Sequence, residues 1–119
     1  MEKQKLLFQQ LKRIKDYWVK TSLDSLKDDA DLIWSDYEEE YKMLQNLINT
    51  EEKKLAYEKV LNEVLKGAIH SILVMIDGGD DLSDKFTLDL IVEQTNESLK
   101  KDSALHEEFY NYLLDVEEK

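Results

Sequence analysis

A mainly α fold, a helical bundle of about four helices, follows from three features of this sequence. Its 119 residues contain no proline, and glycine occurs only as Gly67, Gly78 and Gly79. With so few breakers, long helices are the natural outcome. Apolar residues recur every three or four positions in four separate stretches. Strict alternation is confined to "KFTLDLIVEQT", which extends the expectation to an α+β variant with one short β-hairpin near residues 86–100.

The first helix is expected from about Glu2 to Lys20. Leu7, Leu11, Ile14 and Trp18 form its stripe, widened by Leu6 and Tyr17, with Lys5, Lys12, Arg13, Lys15 and Lys20 mostly off it. An amphipathic basic helix reads either as a membrane-surface or partner helix or as one packed on the acidic remainder of its own domain; the second is the simpler reading. "TSLDSLKDD" then offers Ser22 and Ser25 as N-caps, with Asp28, Asp29 and Asp31 in the first turns of a second helix. Its stripe of Leu26, Ala30, Ile33, Tyr37, Tyr41, Leu44 and Ile48 spans about six turns, flanked by Trp34 and Leu47.

"INTEEKKLAYEKVL" opens a third helix, where Asn49 and Glu52 have the spacing of a capping box. Leu61, Val64, Leu65, Ala68, Ile69, Ile72, Leu73 and Ile76 form a stripe that is apolar nearly all round after Lys66, the pattern of a buried helix. Gly67 costs about 1 kcal/mol against Ala in a helix interior, which suggests close packing there. Gly78 or Gly79 is placed to cap the C-terminus in the left-handed conformation. Asp80 and Asp81 follow in an exposed loop. Phe86, Leu88, Leu90 and Val92 alternate with polar residues except at Ile91, the pattern of a strand, while Leu82, Phe86 and Leu90 also fit a helix. "TNES" reads as a turn, and a last helix runs from about Ser103 on Leu105, Phe109, Tyr112, Leu113 and Val116.

The length suits a single domain, residues 1–119, and 42% hydrophobic residues suffice for an ordinary core. The chain has no cysteine, which removes disulfides, Cys-zinc sites and thiol nucleophiles. Its N-terminus lacks the apolar core and cleavage site of a signal peptide. The longest uncharged run, Gly67 to Ile76, is far short of the ~20 residues that span a bilayer. A cytoplasmic protein with no membrane partner is the expectation.

The net charge of −11 is uneven. Residues 1–20 carry six Lys or Arg against Glu2 and Asp16, and residues 21–119 carry ten against twenty-five acidic groups. Such a surface repels nucleic acid and speeds encounter with basic partners, although acidity also serves solubility alone. A single arginine, Arg13, and no basic patch beyond the first helix argue further against nucleic acid. The acidic residues Asp36, Glu38, Glu39 and Glu40, with Asp80, Asp81 and Asp84, are candidate partner-binding groups. Trp34, Tyr37 and Tyr41 are candidate anchors, with burial in the core as their plainer role.

Motifs for chemistry are incomplete. "HEEFY" has Tyr110 where a zincin needs its second histidine. In "DGGDDLSDKFTLD", counting from Asp77 puts Leu82 where a calcium loop requires glycine. No phosphate-binding glycine loop or nucleophile elbow occurs, so no cofactor or metal is expected. His70 and Asp77 stand two helical turns apart, about 10 Å, too far for a direct bond. Ser71 points about 100° away from His70. A catalytic site of His70, Asp77 and His106 would need the last brought from the C-terminal segment; a buried, hydrogen-bonded His70 is the plainer outcome.

The string "GAIHSILVMIDGGDDLSD", followed by "TNESL" and "ALHEEFYNYL", resembles the C-terminal half of a set of small uncharacterised bacterial proteins similar to immunity proteins of toxin systems. By position the matching residues are His70, Ser71, Asp77, Gly78, Gly79, Leu105, His106 and Glu107. The likeness covers residues 67–113 and leaves the first two helices unmatched. It implies a small acidic immunity protein that neutralises a basic toxin by direct binding, without enzymatic activity. The alternative is a metal-dependent or acid–base enzyme on His70, Asp77 and His106. A homo-oligomer is a third possibility.

Overall fold

The computed structural model describes residues 2–100 and 103–117. Four α-helices carry the fold: α1 (Glu2–Asp24), α2 (Glu38–Leu47), α3 (Glu51–Ile76) and α4 (Leu105–Glu117), with a 3-10 turn at Asp81–Asp84. The fold is therefore mainly helical, in keeping with a helical bundle. The chain divides into two compact units, Met1–Lys12 with Lys66–Lys119, and Arg13–Leu65.

The first unit has a continuous apolar core. Leu105, Phe109 and Leu113 recur at intervals of four on α4 and are buried with Phe8, Leu73 and Leu99. The Phe8 and Phe109 rings lie 5.4 Å apart at 52°, a tilted contact that aromatic pairs favour. Gln4 is buried beside them because its Nε2 donates to the Leu99 carbonyl at 2.8 Å.

The strand expected over residues 86–93 is reduced to a minimal hairpin. The Val92 N–H donates to Glu97 O at 2.9 Å and Leu99 N–H to Leu90 O at 2.8 Å, flanking an antiparallel bridge of Ile91 and Ser98. Asn96, at φ +60, makes the left-handed step of the turn, a conformation asparagine tolerates. The Lys100 ammonium donates to the carbonyls of Ile76, at the C-terminal end of α3, and of Leu88, satisfying a helix-end acceptor and a loop acceptor together.

Helix α3 overturns two expectations. Among its described residues Leu73 is buried, while Val60, Val64 and Ile72 are exposed. A Cβ built on Gly67 meets nothing within 4 Å, so no close packing explains that glycine. The run after Lys66 is apolar in sequence but is not an enclosed helix. Residues 69, 73 and 76 suffice to cover the core, and the remaining apolar side chains stay outside it.

In the second unit the burial of α1 is rotated from the expected stripe. Lys15, Val19 and, just beyond the helix, Ser25 and Leu26 are buried, whereas Ile14, Tyr17 and Trp18 are exposed. Lys15 is only 1% exposed. Its ammonium donates to Asn62 Oδ1 at 2.7 Å and Asp16 Oδ1 at 2.9 Å, and these acceptors offset the desolvation of a buried charge. Tyr17 and Trp18 stack edge to face at 5.3 Å on the surface.

The expected six-turn second helix is not formed. Residues 25–37 make a chain of turns instead, and α2 begins at Glu38. The reason is local competition for backbone groups. Ser25 Oγ bonds back to Ser22 O at 2.6 Å rather than capping forward. Asp31 Oδ1 accepts from Ile33 N–H, and Ser35 Oγ from Tyr37 N–H, each at 3.0 Å. Short polar side chains offer the backbone these alternatives to the helix. The cap of α3 also shifts by one residue. Thr50 Oγ1 accepts from Lys53 N–H at 3.2 Å, while Asn49 Nδ2 bonds back to Asn46 O. Among the described residues no helix is long and apolar enough to cross a membrane.

Candidate functional site

Two places combine exposure with unusual chemistry, one in each unit. The first is built on the end of α3. Gly78, at φ +77, is in the left-handed region; its N–H donates to Met75 O at 3.1 Å and Gly79 N–H to Val74 O at 2.9 Å. This pair of bonds is the Schellman closure that the two glycines predict. A Cβ on Gly79 would come within 2.9 Å of Val74 Cγ1, so the turn is closely packed as well.

The closure fixes Asp77 at the helix end and directs its carboxylate to the start of α4. Asp77 Oδ2 accepts the His106 backbone N–H at 2.9 Å and contacts His106 Nδ1 at 2.6 Å. One oxygen therefore satisfies an otherwise unpaired donor of a helix N-terminus and orients an imidazole. The Asp77 side chain is 5% exposed, and its Oδ1 is buried without a hydrogen-bond partner. With the carboxylate at Nδ1, the neutral ring carries its proton there and leaves Nε2 as an acceptor.

The His70 ring lies 5.3 Å from that of His106, centroid to centroid, at 90°. His70 is exposed, contrary to the expectation of a core histidine, because the residues of α3 that face the core are Ile69, Leu73 and Ile76. The three residues named from sequence thus converge: Asp77 with His106 by hydrogen bonds, and His106 with His70 by ring contact. Ser71 is exposed beside them in sequence. Glu107 Oε1 stands 4.0 Å from His106 Nε2. Among the described residues, no group of three or more His, Cys, Asp or Glu is placed to hold a metal ion.

The second place is the stretch from Asp28 to Leu47. Among its described residues α2 buries none, although it carries Met43, Leu44 and Leu47. Ile33 is 89% exposed, and Trp34 and Tyr37 are exposed as well. Trp34 is nevertheless ordered: its Nε1 donates to Asp31 O at 2.9 Å and its ring meets Tyr41 edge-on at 5.4 Å. Asp36, Glu38, Glu39 and Glu40 are all exposed on the same segment, with Glu38 paired to Lys42 at 3.2 Å. Three glutamates in the first turn suit the helix dipole.

The acidic residues expected in the later loop differ in role. Asp80, Asp81 and Asp84 are exposed, but Asp80 Oδ1 accepts from Leu82 N–H at 3.1 Å and starts the 3-10 turn. The exposed apolar side chains Ile33, Met43 and Leu47 were invisible to a stripe-based reading. The density of Ser and Asp between positions 25 and 36 marks where the expected helix stops and accounts for Ile33; Met43 and Leu47 lie on α2, which forms, and no local signal marks their exposure.

A groove of about 490 Å³ between α1 and α3 in the second unit is lined by Val19, Leu23 and Leu55 with Asp16, Lys20, Glu58 and Lys59. None of His70, Asp77 or His106 lines it. Comparison with protein-family models, with curated proteins and with solved structures gives no match, so function rests on the geometry alone.

Proposed function

We propose that this chain is a non-enzymatic interaction protein that binds a basic protein partner through residues 28–47. The observation that carries the reading is α2 itself, an acidic helix that buries none of its described apolar side chains. An exposed apolar surface rimmed by polar groups marks an interaction site. The carboxylates of Asp36, Glu38, Glu39 and Glu40 select a basic partner and speed its encounter, while Trp34 and Tyr37 serve as anchors. In the immunity-protein reading the partner is a toxin and binding neutralises it. Asp80, Asp81 and Asp84 add to the negative field that attracts it.

The experiment is capture from the native host at low salt by the wild type, Trp34→Ala and the triple variant Glu38→Lys/Glu39→Lys/Glu40→Lys. A basic protein is expected to be retained by the wild type, released at high salt and lost in both variants. Capture that ignores both variants, or the absence of any basic partner, overturns the reading. So does a concentration-dependent dimer in sedimentation velocity that Trp34→Ala dissolves, which would assign the face to a second copy. His70→Ala is expected to leave the complex intact.

A rival reading as an acid–base or metal-dependent enzyme draws support from the convergence of His70, Asp77 and His106. It requires a substrate held beside those three residues.

A further inference from the structure

We propose that His106 Nε2 and His70 form an open, two-histidine site for a divalent transition-metal ion such as Zn²⁺, with Asp77 as the positioning carboxylate. This inference is independent of the interaction reading, which uses other residues. Its first support is the hydrogen bond of Asp77 Oδ2 to His106 Nδ1 at 2.6 Å. Metal-ligating histidines characteristically donate their second nitrogen to a carboxylate, which fixes the tautomer and raises the basicity of the ligating nitrogen.

The second support is the spacing of the two rings. A Zn–N bond of about 2.0–2.1 Å places a ring centroid about 3.2 Å from the ion, so two rings at a tetrahedral angle have centroids about 5 Å apart. The observed separation is 5.3 Å, with the rings perpendicular. The third is the buried Asp77 side chain, whose Oδ1 has no hydrogen-bond partner. A carboxylate held against His106 Nδ1 raises the basicity of Nε2 toward a cation. Glu107 Oε1, 4.0 Å from Nε2, adds negative potential there.

Access is also in place. His106 retains 23% of its side-chain exposure and His70 is on the surface, so water can complete the ion's shell. Rotation of the His70 ring about its Cβ–Cγ bond, a broad and roughly two-fold torsion, exchanges which nitrogen faces the ion while leaving the ring centroid nearly in place. Imidazole suits Zn²⁺, Ni²⁺ and Cu²⁺ and discriminates against Mg²⁺ and Ca²⁺, which prefer oxygen. With just two protein ligands the site is open, a reversible binding site and not a structural one.

The test is calorimetric titration of the whole protein with Zn²⁺ in a large excess of Mg²⁺, which occupies the acidic surface. One ion per chain is expected, with at least about tenfold weaker binding for His70→Ala and His106→Gln and about 10- to 100-fold for Asp77→Asn. His70→Ala removes an exposed side chain, so it reads the ligand without disturbing the fold even if the other variants lose helix content by circular dichroism. Long-range imidazole ¹⁵N spectra give the readout specific to positioning. The wild type should show the Nδ1–H tautomer at His106 and a shift of its Nε2 with Zn²⁺, and Asp77→Asn should abolish the tautomer preference. Equal Zn²⁺ binding by wild type and His70→Ala, or no Mg²⁺-resistant binding by the wild type, overturns the proposal.

Discussion

The two units of this chain differ in how much of their apolar surface they enclose, although the first also exposes Ile72 and Phe86 and the second also buries Val19, Leu26 and Leu32. Met1–Lys12 with Lys66–Lys119 encloses Phe8, Leu73, Leu99, Leu105, Phe109 and Leu113 in one cluster. Arg13–Leu65 centres a lysine among its buried residues and leaves Ile33, Trp34, Tyr37, Met43 and Leu47 exposed. The first pattern is what stability requires. The second is poorly suited to stability alone, and its exposed residues sit among carboxylates that would steer a basic partner. The difference teaches that burial and exposure can be divided along one chain, so that apolar periodicity means core in one stretch and surface in another.

The largest test of that contrast is truncation in each unit. Phe109→Ala should lower unfolding free energy by about 3–5 kcal/mol in urea melts, because it leaves a cavity in a closed core. Trp34→Ala should change it by no more than about 1 kcal/mol, since the indole is exposed and makes one edge contact and one hydrogen bond. Comparable losses would mean that the Asp28–Leu47 segment is structural, and the docking surface would lose its basis.

A smaller effect probes the buried lysine. Asn62→Leu removes an acceptor from the Lys15 ammonium and should destabilise by about 1–3 kcal/mol. Lys15→Met combined with Asn62→Leu, which replaces donor and acceptor together by apolar side chains, should recover part or all of that loss. The pair of melts decides whether Lys15 is tolerated or required. A large loss for the double variant would show that the Lys15 ion pair and hydrogen bonds hold the unit together.

The smallest effect is pH dependence in the hairpin. Ser98 Oγ donates to Asp89 Oδ1 at 2.6 Å, and the Leu90 N–H donates to the same oxygen at 2.8 Å. The Ser98 hydrogen bond is the largest influence on the Asp89 carboxyl; together with the Leu90 amide and the Lys100 charge it outweighs the opposing desolvation and holds the group below its ordinary value of 3.8. A depressed folded-state pKa contributes stability above the unfolded value and loses it as pH falls through the folded one. The Leu90 amide should therefore exchange faster relative to its intrinsic rate once pH drops below about 4, and Asp89→Asn should remove that dependence. An unchanged profile in the variant would disconnect Asp89 from the hairpin.

Much of this was legible in the residues. The absence of proline and the spacing of Leu105, Phe109 and Leu113 specify α4 and its buried face. The Asp-Gly-Gly sequence specifies the end of α3, since few residues other than glycine accept φ +77. The His70–Asp77–His106 set was nameable by its residue types, but its geometry was not. His70 and Asp77 lie far apart on α3 and its cap, and only the return of the chain brings His106 to them. The second helix was misread because an apolar repeat survives through residues 26–37 while Ser and Asp side chains take the backbone bonds that a helix needs.

What the sequence determined by itself were properties carried by local chemistry: helix content, the glycine cap, the acidic balance and the lack of thiols. Tertiary structure decided which side of each helix is covered. It buried Lys15 and exposed Trp18, against the simplest reading of their polarity, and it exposed His70 although an apolar run surrounds it in sequence. The physical reason is that burial depends on partners supplied from distant parts of the chain. A lysine can be enclosed where Asn62 and Asp16 meet its ammonium, and an apolar side chain stays exposed where no other segment arrives to cover it.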